Sequence, residues 1–260
     1  MKRLLAVVAS FVLLAFGPTV VRADTLADVI KNGVIRIAVP LDVPPFGSQT
    51  ADRKAEGFDV ELAEMVGKAL GVKVELQQVT ASNRIPFLLT DKVDVVISIM
   101  GLTPERAKQI MFTAPYADAS LAVFGPKSVN VKSADDLGTL KVVAAKGTTQ
   151  DLGLAAMNPK ANIMRTEDDA TAATAYFTGQ ADLFATNSII VPDLMKRAPN
   201  KEFDLKFVIR RSPAHMGVKM GEFAMLQWLN SFIFFNSMNG ELDRLHRKWL
   251  AMPMSPLPTL

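Results

Sequence analysis

The segment from Lys92 to Arg106 combines a buried strand, a turn and the start of a helix. Its apolar residues run almost without interruption from Val93 to Met100, which is typical of a parallel strand covered on both faces. Gly101 ends this run, and Thr103-Pro104 predicts a helix start with threonine as N-cap and proline at the first helical position. In open α/β sheets, ligands bind beyond such carboxyl ends of strands.

Arg106 lies in the first turn of that helix, where a cation opposes the helix dipole. The segment alone leaves two interpretations of this arginine open. It is either a solvated surface side chain or a side chain held in place by a nearby anion.

The same alternation of strands and helices continues along the chain. From Val34 to Arg106 the predicted order is β-α-β-α-β-α, and a second series begins near Ser133. This order indicates parallel sheets with crossover helices. Extended segments near 121–124, 203–209 and 216–220 join the two series. We therefore predict an α/β fold with two lobes around a cleft, each a mostly parallel sheet flanked by helices.

Residues 1–23 predict a secretory signal peptide. Lys2-Arg3 precede an apolar run from Leu4 to Phe16, and Val21-Arg22-Ala23 is a small-x-small cleavage site. The run is shorter than the ~20 residues that a membrane-spanning helix needs. We therefore expect an exported protein that is cleaved after Ala23.

Composition excludes several classes of function. Three of the 29 Lys and Arg residues lie within residues 1–23, so 26 basic residues face 26 acidic ones in the rest of the chain. A formally neutral mature chain without an aromatic-interleaved basic patch gives no support for a nucleic-acid partner. The chain has no cysteine, which excludes disulfides, thiolate metal sites and a lipoprotein anchor.

Five motifs, in order along the chain, resemble those of the family 3 bacterial solute-binding proteins. They are Pro45-Phe46, Gly57 to Leu62, Thr103 to Arg106 with Phe112 to Tyr116, Lys146 to Thr149, and Asn239 to Leu242 with Lys248-Trp249. The resemblance covers essentially the whole mature chain. It implies a periplasmic receptor with a type II periplasmic-binding-protein fold, which delivers a polar amino acid to an inner-membrane ABC importer.

The resemblance also implies how the chain is divided. Residues 24–118 and 219–260 would form the first lobe, and residues 119–218 the second lobe, inserted into the first. Hinges are expected near 116–121 and 215–219. Closure about these hinges traps the ligand, because both lobes touch it only when the cleft is shut. We expect a monomer without metal, cofactor or catalytic residue.

The resemblance assigns ligand-binding roles to ten residues. Arg106 matches the arginine that grips the ligand carboxylate with a bidentate, permanently charged fork. Arg84 matches an arginine that faces the side-chain carboxylate in glutamate- and aspartate-binding members. The other expected pocket residues are Val43, Ser98, Ile99, Gly101, Thr148, Thr149, Gln150 and Asn187.

Two of these assignments keep a structural alternative. The amides and hydroxyls of the turn from Gly147 to Gln150 suit an anion, but an ordinary helix cap would have the same sequence. Arg84 could equally be an arginine on a helix surface.

Several residues depart from the pattern of the amino-acid-binding members. Gly101 stands where a Ser or Thr is usual, and Ile99 where a small polar residue or glycine is common. Val43 and Ala81 stand where many members have aromatic rings that clamp the ligand. Asn187 replaces the acidic residue that receives the α-ammonium group, and its amide accepts only a weaker, uncharged hydrogen bond.

These departures predict that the ligand is a small carboxylate. It can be an amino acid or a related organic acid. We expect Arg106, Thr148 and Thr149 to hold it, with Arg84 available to a second acidic group. A dehydratase-type enzyme and a ligand-sensing module for a membrane receptor are the alternative functions. Dehydration needs a positioned acid, whereas the matching positions are Ser, Gly, Thr and Asn.

Overall fold

The computed structural model describes residues 25–258, so the predicted signal peptide lies outside the described residues. The strands in the first half of the chain are β1 Val34–Val39, β2 Ser48–Gln49, β3 Ala55–Glu56, β4 Lys73–Gln78, β5 Val95–Gly101 and β6 Ile110–Ala117. Those in the second half are β7 Ser120–Gly125, β8 Lys141–Ala145, β9 Asn162–Thr166, β10 Leu183–Asn187, β11 Asp204–Arg211 and β12 Ala214–Lys219.

Helices alternate with these strands along most of the chain. They are α1 Thr25–Asn32, α2 Phe58–Leu70, α3 Arg84–Leu89, α4 Pro104–Ala107, α5 Thr149–Met157, α6 Asp169–Phe177, α7 Val191–Arg197, α8 Phe223–Met238 and α9 Glu241–Leu245. Short 3-10 turns span Ala134–Leu137 and Ser188–Ile190, and a π-helical turn spans His246–Leu250.

The first sheet has the strand order β4-β1-β5-β12-β6. Strand β1 pairs in parallel with β4 and β5, whereas β12 runs antiparallel to both β5 and β6. Four of its five strands therefore share one direction. Helix α2 packs against β1, β4 and β5 and closes at Gly71, whose positive φ of 71° is the left-handed conformation that glycine adopts without strain.

The second sheet has the order β11-β7-β10-β8-β9 and repeats this pattern. Strand β8 pairs in parallel with β9 and β10, and β7 is the reversed strand between β10 and β11. Helices α5 and α6 pack against it. The prediction of an α/β fold with two mostly parallel sheets is confirmed.

The chain passes between the sheets at two places. β6 gives way to β7 at 118–119, within the expected hinge region of 116–121. β11 gives way to β12 at 212–213, upstream of the expected 215–219. The predicted boundary at 218–219 is wrong by one strand, because β12 pairs with β5 and β6 in the first sheet. Its apolar pattern fits a buried strand in either sheet, so the sequence does not show which one it joins.

The segment from Lys92 to Arg106 folds as its sequence predicts. Strand β5 is the middle strand of the first sheet, and all its residues except Ile99 are buried. The Thr103 hydroxyl accepts a 3.3 Å hydrogen bond from the Arg106 backbone N–H and so caps α4. This geometry places Arg106 beyond the carboxyl end of the central strand.

Helix α8 carries no charged residue. One side of it packs on the first sheet through Met225, Leu229 and Ile233, while Phe234 and Met238 are exposed. Within residues 25–258, no helix combines the length and the apolar character needed to cross a membrane.

Candidate functional site

A cavity lies between the two sheets, at the carboxyl ends of β1, β4 and β5 in the first sheet and of β8, β9 and β10 in the second. Its empty volume is about 570 Å³, including its opening to solvent. Its wall is formed by Pro40, Asp42, Val43, Val79, Thr80, Ala81, Arg84, Ser98, Ile99, Ala119, Leu121, Thr148, Thr149, Gln150, Asp169, Thr186, Asn187, Ile190 and Ser212.

Most of the predicted site residues meet in this one cavity, although they come from distant parts of the chain. Those that line it are Val43, Arg84, Ser98, Ile99, Thr148, Thr149, Gln150 and Asn187. Arg106 and Gly101 are outside its lining.

Arg106 joins the two lobes through bonds to protein oxygens. Its Nη1 donates to the Gly101 carbonyl oxygen at 2.6 Å and to Thr149 Oγ1 at 2.9 Å, and its Nη2 donates to the Gly147 carbonyl oxygen at 2.9 Å. The side chain is buried, so the interpretation as a solvated surface arginine is wrong. Burial and, to a smaller extent, the positive charges of Arg84 and Arg210 lower the pKa of Arg106 to about 9.

Because Gly101 has no side chain, the first lobe can come close enough to the second for Arg106 to reach Thr149. A Cβ atom added here would lie 2.1 Å from Ser212 Oγ and 2.8 Å from Thr149 Oγ1, both too short for real contacts. A serine or threonine at this position would therefore force the Ser212 and Thr149 side chains, or β5 itself, to move. The departure from the family pattern at Gly101 has a steric reason in this closed arrangement.

Arg84 is buried in the cavity wall at the start of α3, so the helix-surface alternative is wrong. Its Nη1 donates to the Ser98 carbonyl oxygen at 2.5 Å, whereas its Nε has no partner among the described residues. Burial lowers the pKa of Arg84 to about 10, and the charge of Asp169 opposes this shift. A buried cation with an unpaired donor favours an acceptor group from a ligand.

Asn187 ends β10, and its Oδ1 accepts a 3.0 Å hydrogen bond from the Ile189 backbone N–H. That bond fixes the orientation of the amide and leaves Nδ2 as the free end. Asn187 Nδ2 and the neighbouring Thr186 Oγ1 are buried without a partner in residues 25–258. Together with Arg84 Nε, they give the cavity wall three unsatisfied polar atoms, two of which can only donate.

The residues of the turn before α5 differ in role: Thr148 caps the helix, and Thr149 and Gln150 are the other two that line the cavity. The Thr148 hydroxyl accepts a 3.2 Å bond from the Asp151 backbone N–H and donates to the Ala145 carbonyl oxygen at 2.7 Å. The ordinary helix-cap interpretation therefore describes Thr148. Thr149 and Gln150 also line the cavity, and the Thr149 hydroxyl accepts the bond from Arg106.

Ile99 has a φ of +41°, which is strained for a β-branched residue. Its backbone N–H donates to Asp59 Oδ2 and to Tyr116 Oη, each at 3.0 Å, and the Tyr116 hydroxyl donates to Asp59 Oδ1 at 2.9 Å. Burial raises the pKa of Asp59 to about 7, although these hydrogen bonds lower it. The motif from Gly57 to Leu62 thus holds the backbone of the cavity wall in place through Asp59.

Two carboxylates that the sequence analysis did not single out also line the cavity. Asp42 follows β1, and its Oδ2 accepts a 3.0 Å hydrogen bond from the Asp169 backbone N–H at the start of α6. Burial raises the pKa of Asp42. Burial, followed by the charge of Asp42, raises the pKa of Asp169 to about 7, while Arg84 lowers it.

Sequence reasoning missed five polar residues of the cavity wall, namely Asp42, Thr80, Asp169, Thr186 and Ser212. The first four lie at carboxyl ends of predicted strands, and applying that rule to every strand would have found them. Ser212 lies in the second crossover, and no local sequence signal marks it.

The two histidines lie outside the cavity lining and are buried elsewhere. His215 Nδ1 lies 2.8 Å from the Thr113 carbonyl oxygen, and His246 Nε2 lies 3.2 Å from the Tyr116 carbonyl oxygen. Burial lowers the pKa of both. In the described part of the chain, no group of three or more His, Cys, Asp or Glu side chains is placed to hold a metal ion.

A model of the family "Bacterial extracellular solute-binding proteins, family 3" matches residues 35–252. The chain belongs to this family. Except for Val34, the first residue of β1, the match contains both sheets, and it contains the whole wall of the cavity. The cavity is therefore the candidate solute-binding site of this family 3 protein.

Individual relatives agree with this membership. The ABC transporter glutamine-binding protein of Bacillus subtilis is 30% identical over 234 residues, which cover 88% of this chain and 85% of that protein. The crystal structure of the solute receptor for L-cysteine of Neisseria gonorrhoeae superposes with a TM-score of 0.82 at 30% identity, covering 86% of this chain and 93% of that one. Cyclohexadienyl dehydratase of Pseudomonas aeruginosa is also related, with 26% identity over 215 residues, 78% of this chain and 80% of the enzyme.

Proposed function

We propose that this family 3 protein is the substrate-binding component of an ABC importer and captures a small carboxylate-bearing solute in the cavity between its lobes. The signal peptide at 1–23 would direct it to the periplasm, with cleavage after Ala23. It would act as a monomer and deliver its ligand to an inner-membrane permease. The relatives described as transporter glutamine-binding protein and L-cysteine receptor support this role.

One observation supports solute capture above all others. Arg84 Nε, Asn187 Nδ2 and Thr186 Oγ1 are buried without hydrogen-bond partners in the described structure, and all three residues line the same cavity. A buried polar group without a partner costs about 1–3 kcal/mol. A carboxylate could accept bonds from the arginine and amide donors, so such a solute would stabilise the closed form.

Closure would occur about the crossovers at 118–119 and 212–213. Arg106 meets Thr149 across the lobes, and the Ser82 hydroxyl donates to Glu167 Oε1 at 3.1 Å. Each of these contacts joins a residue beside the first sheet to one beside the second, so opening the cleft would break both. A ligand that touches both lobes shifts the population towards the closed form.

The experiment is mass spectrometry of small molecules released from the purified mature chain, followed by a thermal-shift panel. The panel pairs each amino acid with its deaminated acid, because a ligand that binds only the folded state raises the melting temperature by mass action. We expect at least one carboxylate-bearing solute to raise it. If none does so, and neutral sugars or metal ions do, the proposed ligand class is wrong.

Catalysis on the same fold is the second candidate, and Asp169 is the observation that favours it. This cleft carboxyl has a pKa of about 7, and a dehydratase is among the relatives. A general acid works best with a pKa near the working pH. We propose binding without turnover, and prolonged incubation of the bound solute with stoichiometric protein, followed by NMR, should return it unchanged.

A further inference from the structure

The charges in the cavity wall do not suit an anion alone. Two carboxylates, Asp42 and Asp169, face one guanidinium, Arg84, among the residues that line the cavity. Arg106 lies outside this wall and is occupied by protein oxygens. A dicarboxylate would therefore bring two negative charges to a wall that already has two carboxyl groups, which disfavours the predicted use of Arg84 for a second acidic group.

Asp169 is not needed for the helix that it begins. Asp168 is the N-cap of α6, and its Oδ1 accepts a 2.7 Å hydrogen bond from the Thr171 backbone N–H. Within residues 25–258, no hydrogen bond or ion pair engages the Asp169 carboxylate, whose backbone N–H is held by Asp42. The carboxylate is thus free to bind a partner that enters the cavity.

The polar groups of the cavity wall are therefore of two kinds. Arg84 Nε and Asn187 Nδ2 are unpaired donors, and Asn187 is only 6% exposed. Asp42 and Asp169 offer carboxylates, which accept hydrogen bonds when ionised. A ligand with a carboxylate and an ammonium group would satisfy both kinds at once.

We propose that Asp169, supported by Asp42, receives the ammonium group of an amino acid ligand, while Arg84 and Asn187 bind its carboxylate. This inference rests on the proposed function and defines its ligand class. The missing carboxylate at position 187 is then replaced by one from the start of α6. Asn187 has the opposite role from an ammonium acceptor, since its free atom is a donor.

The variant that tests this assignment is Asp169→Asn, which keeps the shape of the side chain and removes its charge. The matched control is Asp168→Asn, since asparagine caps helices about as well as aspartate and residue 168 is outside the cavity lining. We expect Asp169→Asn to weaken binding of the best amino acid at least ~10-fold, the loss typical of one charge-assisted hydrogen bond. Binding of its deaminated acid should not weaken, and Asp168→Asn should stay within about threefold of the wild type for both.

Proton release gives a second measurement that does not depend on a variant. The groups facing the Asp169 carboxyl are Asp42, Asp168 and Arg84. Because its pKa is about 7 in the free chain, an incoming ammonium should displace its proton near neutral pH. Calorimetry at pH 6.5 in two buffers of different ionisation enthalpy should show protons released with the amino acid and none with its deaminated acid.

The outcomes separate this inference from the proposed function. If the wild type binds deaminated acids but no amine-bearing ligand, the assignment of Asp169 is wrong and carboxylate capture stands. It is also wrong if Asp169→Asn retains wild-type affinity for the amino acid and no protons are released. If the wild type binds neither class, the proposed function itself is overturned.

Discussion

Arg106 of the first lobe donates a 2.9 Å hydrogen bond to the Thr149 hydroxyl of the second lobe, and both residues are buried. The same guanidinium reaches the Gly147 carbonyl oxygen. This arginine was predicted as a ligand clamp, and in this arrangement it connects the two lobes directly. Closing the cleft buries the cation against protein oxygens, so closure and the position of Arg106 are coupled.

Replacing Arg106 by alanine should destabilise the closed form even without ligand. The variant loses two hydrogen bonds across the cleft, each worth about 1.5–3 kcal/mol because one partner is charged. We expect a larger radius of gyration by small-angle X-ray scattering. Since the two bonds together correspond to about 3–6 kcal/mol, we also expect ligand binding at least ~100-fold weaker. Lys108→Ala removes an exposed cation two residues away and serves as the control. A variant that stays as compact as the wild type would show that Arg106 does not hold the lobes together.

Gly101→Ala should hinder closure while leaving each lobe folded. Its new methyl group would meet Ser212 Oγ at 2.1 Å, and overpacking of this kind costs about 1–3 kcal/mol. That cost corresponds to roughly 5- to 100-fold weaker ligand binding in titration calorimetry. The double variant with Ser212→Gly should recover part of the affinity, since the closer of the two clashes is removed. If the double variant recovers no affinity, contact with Ser212 is not what hinders closure in Gly101→Ala.

Asp59 should make stability depend on pH in a direction opposite to that of an ion-paired carboxylate. Burial raises its pKa from 3.8 to about 7, so the folded chain keeps a proton that the unfolded chain has lost. Its stabilising contribution is complete below about pH 4 and is lost as the pH rises through about 7. Asp59→Asn lacks this pH-dependent loss. The melting temperature of the variant minus that of the wild type should therefore increase from pH 5 to pH 8.

The control for that series is Asp135→Asn, which removes an exposed carboxylate far from Ile99 along the chain. Each variant is compared with wild type at the same pH by differential scanning calorimetry, so titrations shared by both proteins cancel. A melting-temperature difference for Asp59→Asn that does not change with pH would mean that Asp59 keeps an ordinary pKa.

Asn187→Asp distinguishes the sequence-based prediction from the structural one. The family pattern described above, with an acidic residue at this position, predicts better binding of amino acids relative to their deaminated acids, because the new carboxylate would restore an ammonium partner. In the structure, one oxygen of the new carboxylate would still accept the bond from the Ile189 N–H, and the other would replace the free donor Nδ2. We therefore expect weaker binding of both ligand types in titration calorimetry. A selective gain for amino acids would support the original prediction.

Local sequence signals predicted the central part of the fold well. The apolar run after Lys92 became β5, and Thr103-Pro104 became the start of α4, because burial and capping depend on residues a few positions apart. The family motifs likewise indicated Arg84 and Asn187, which both line the cavity. What they could not indicate is the partner that each of these side chains has in the folded chain.

The errors share one physical cause. Strand β12 was placed in the wrong lobe because its apolar pattern would fit a buried strand of either sheet. The pairing of Asp169 with Asp42 was missed because this hydrogen bond connects residues 127 positions apart. The sequence likewise did not indicate the bonds of Arg106 to Thr149 and Gly147, which connect residues 43 and 41 positions apart.

By itself, the sequence determined the alternation of strands and helices, the family and eight of the nineteen residues that form the cavity wall. Those properties follow from hydrophobic periodicity, capping and motif spacing, which act over short stretches of chain. The tertiary structure alone decided which charges face the cavity and which are consumed by contacts between lobes. Desolvation and pairing depend on distances between atoms rather than on positions along the chain, and for Asp42 and Asp169 those distances are set by the packing of two sheets against each other.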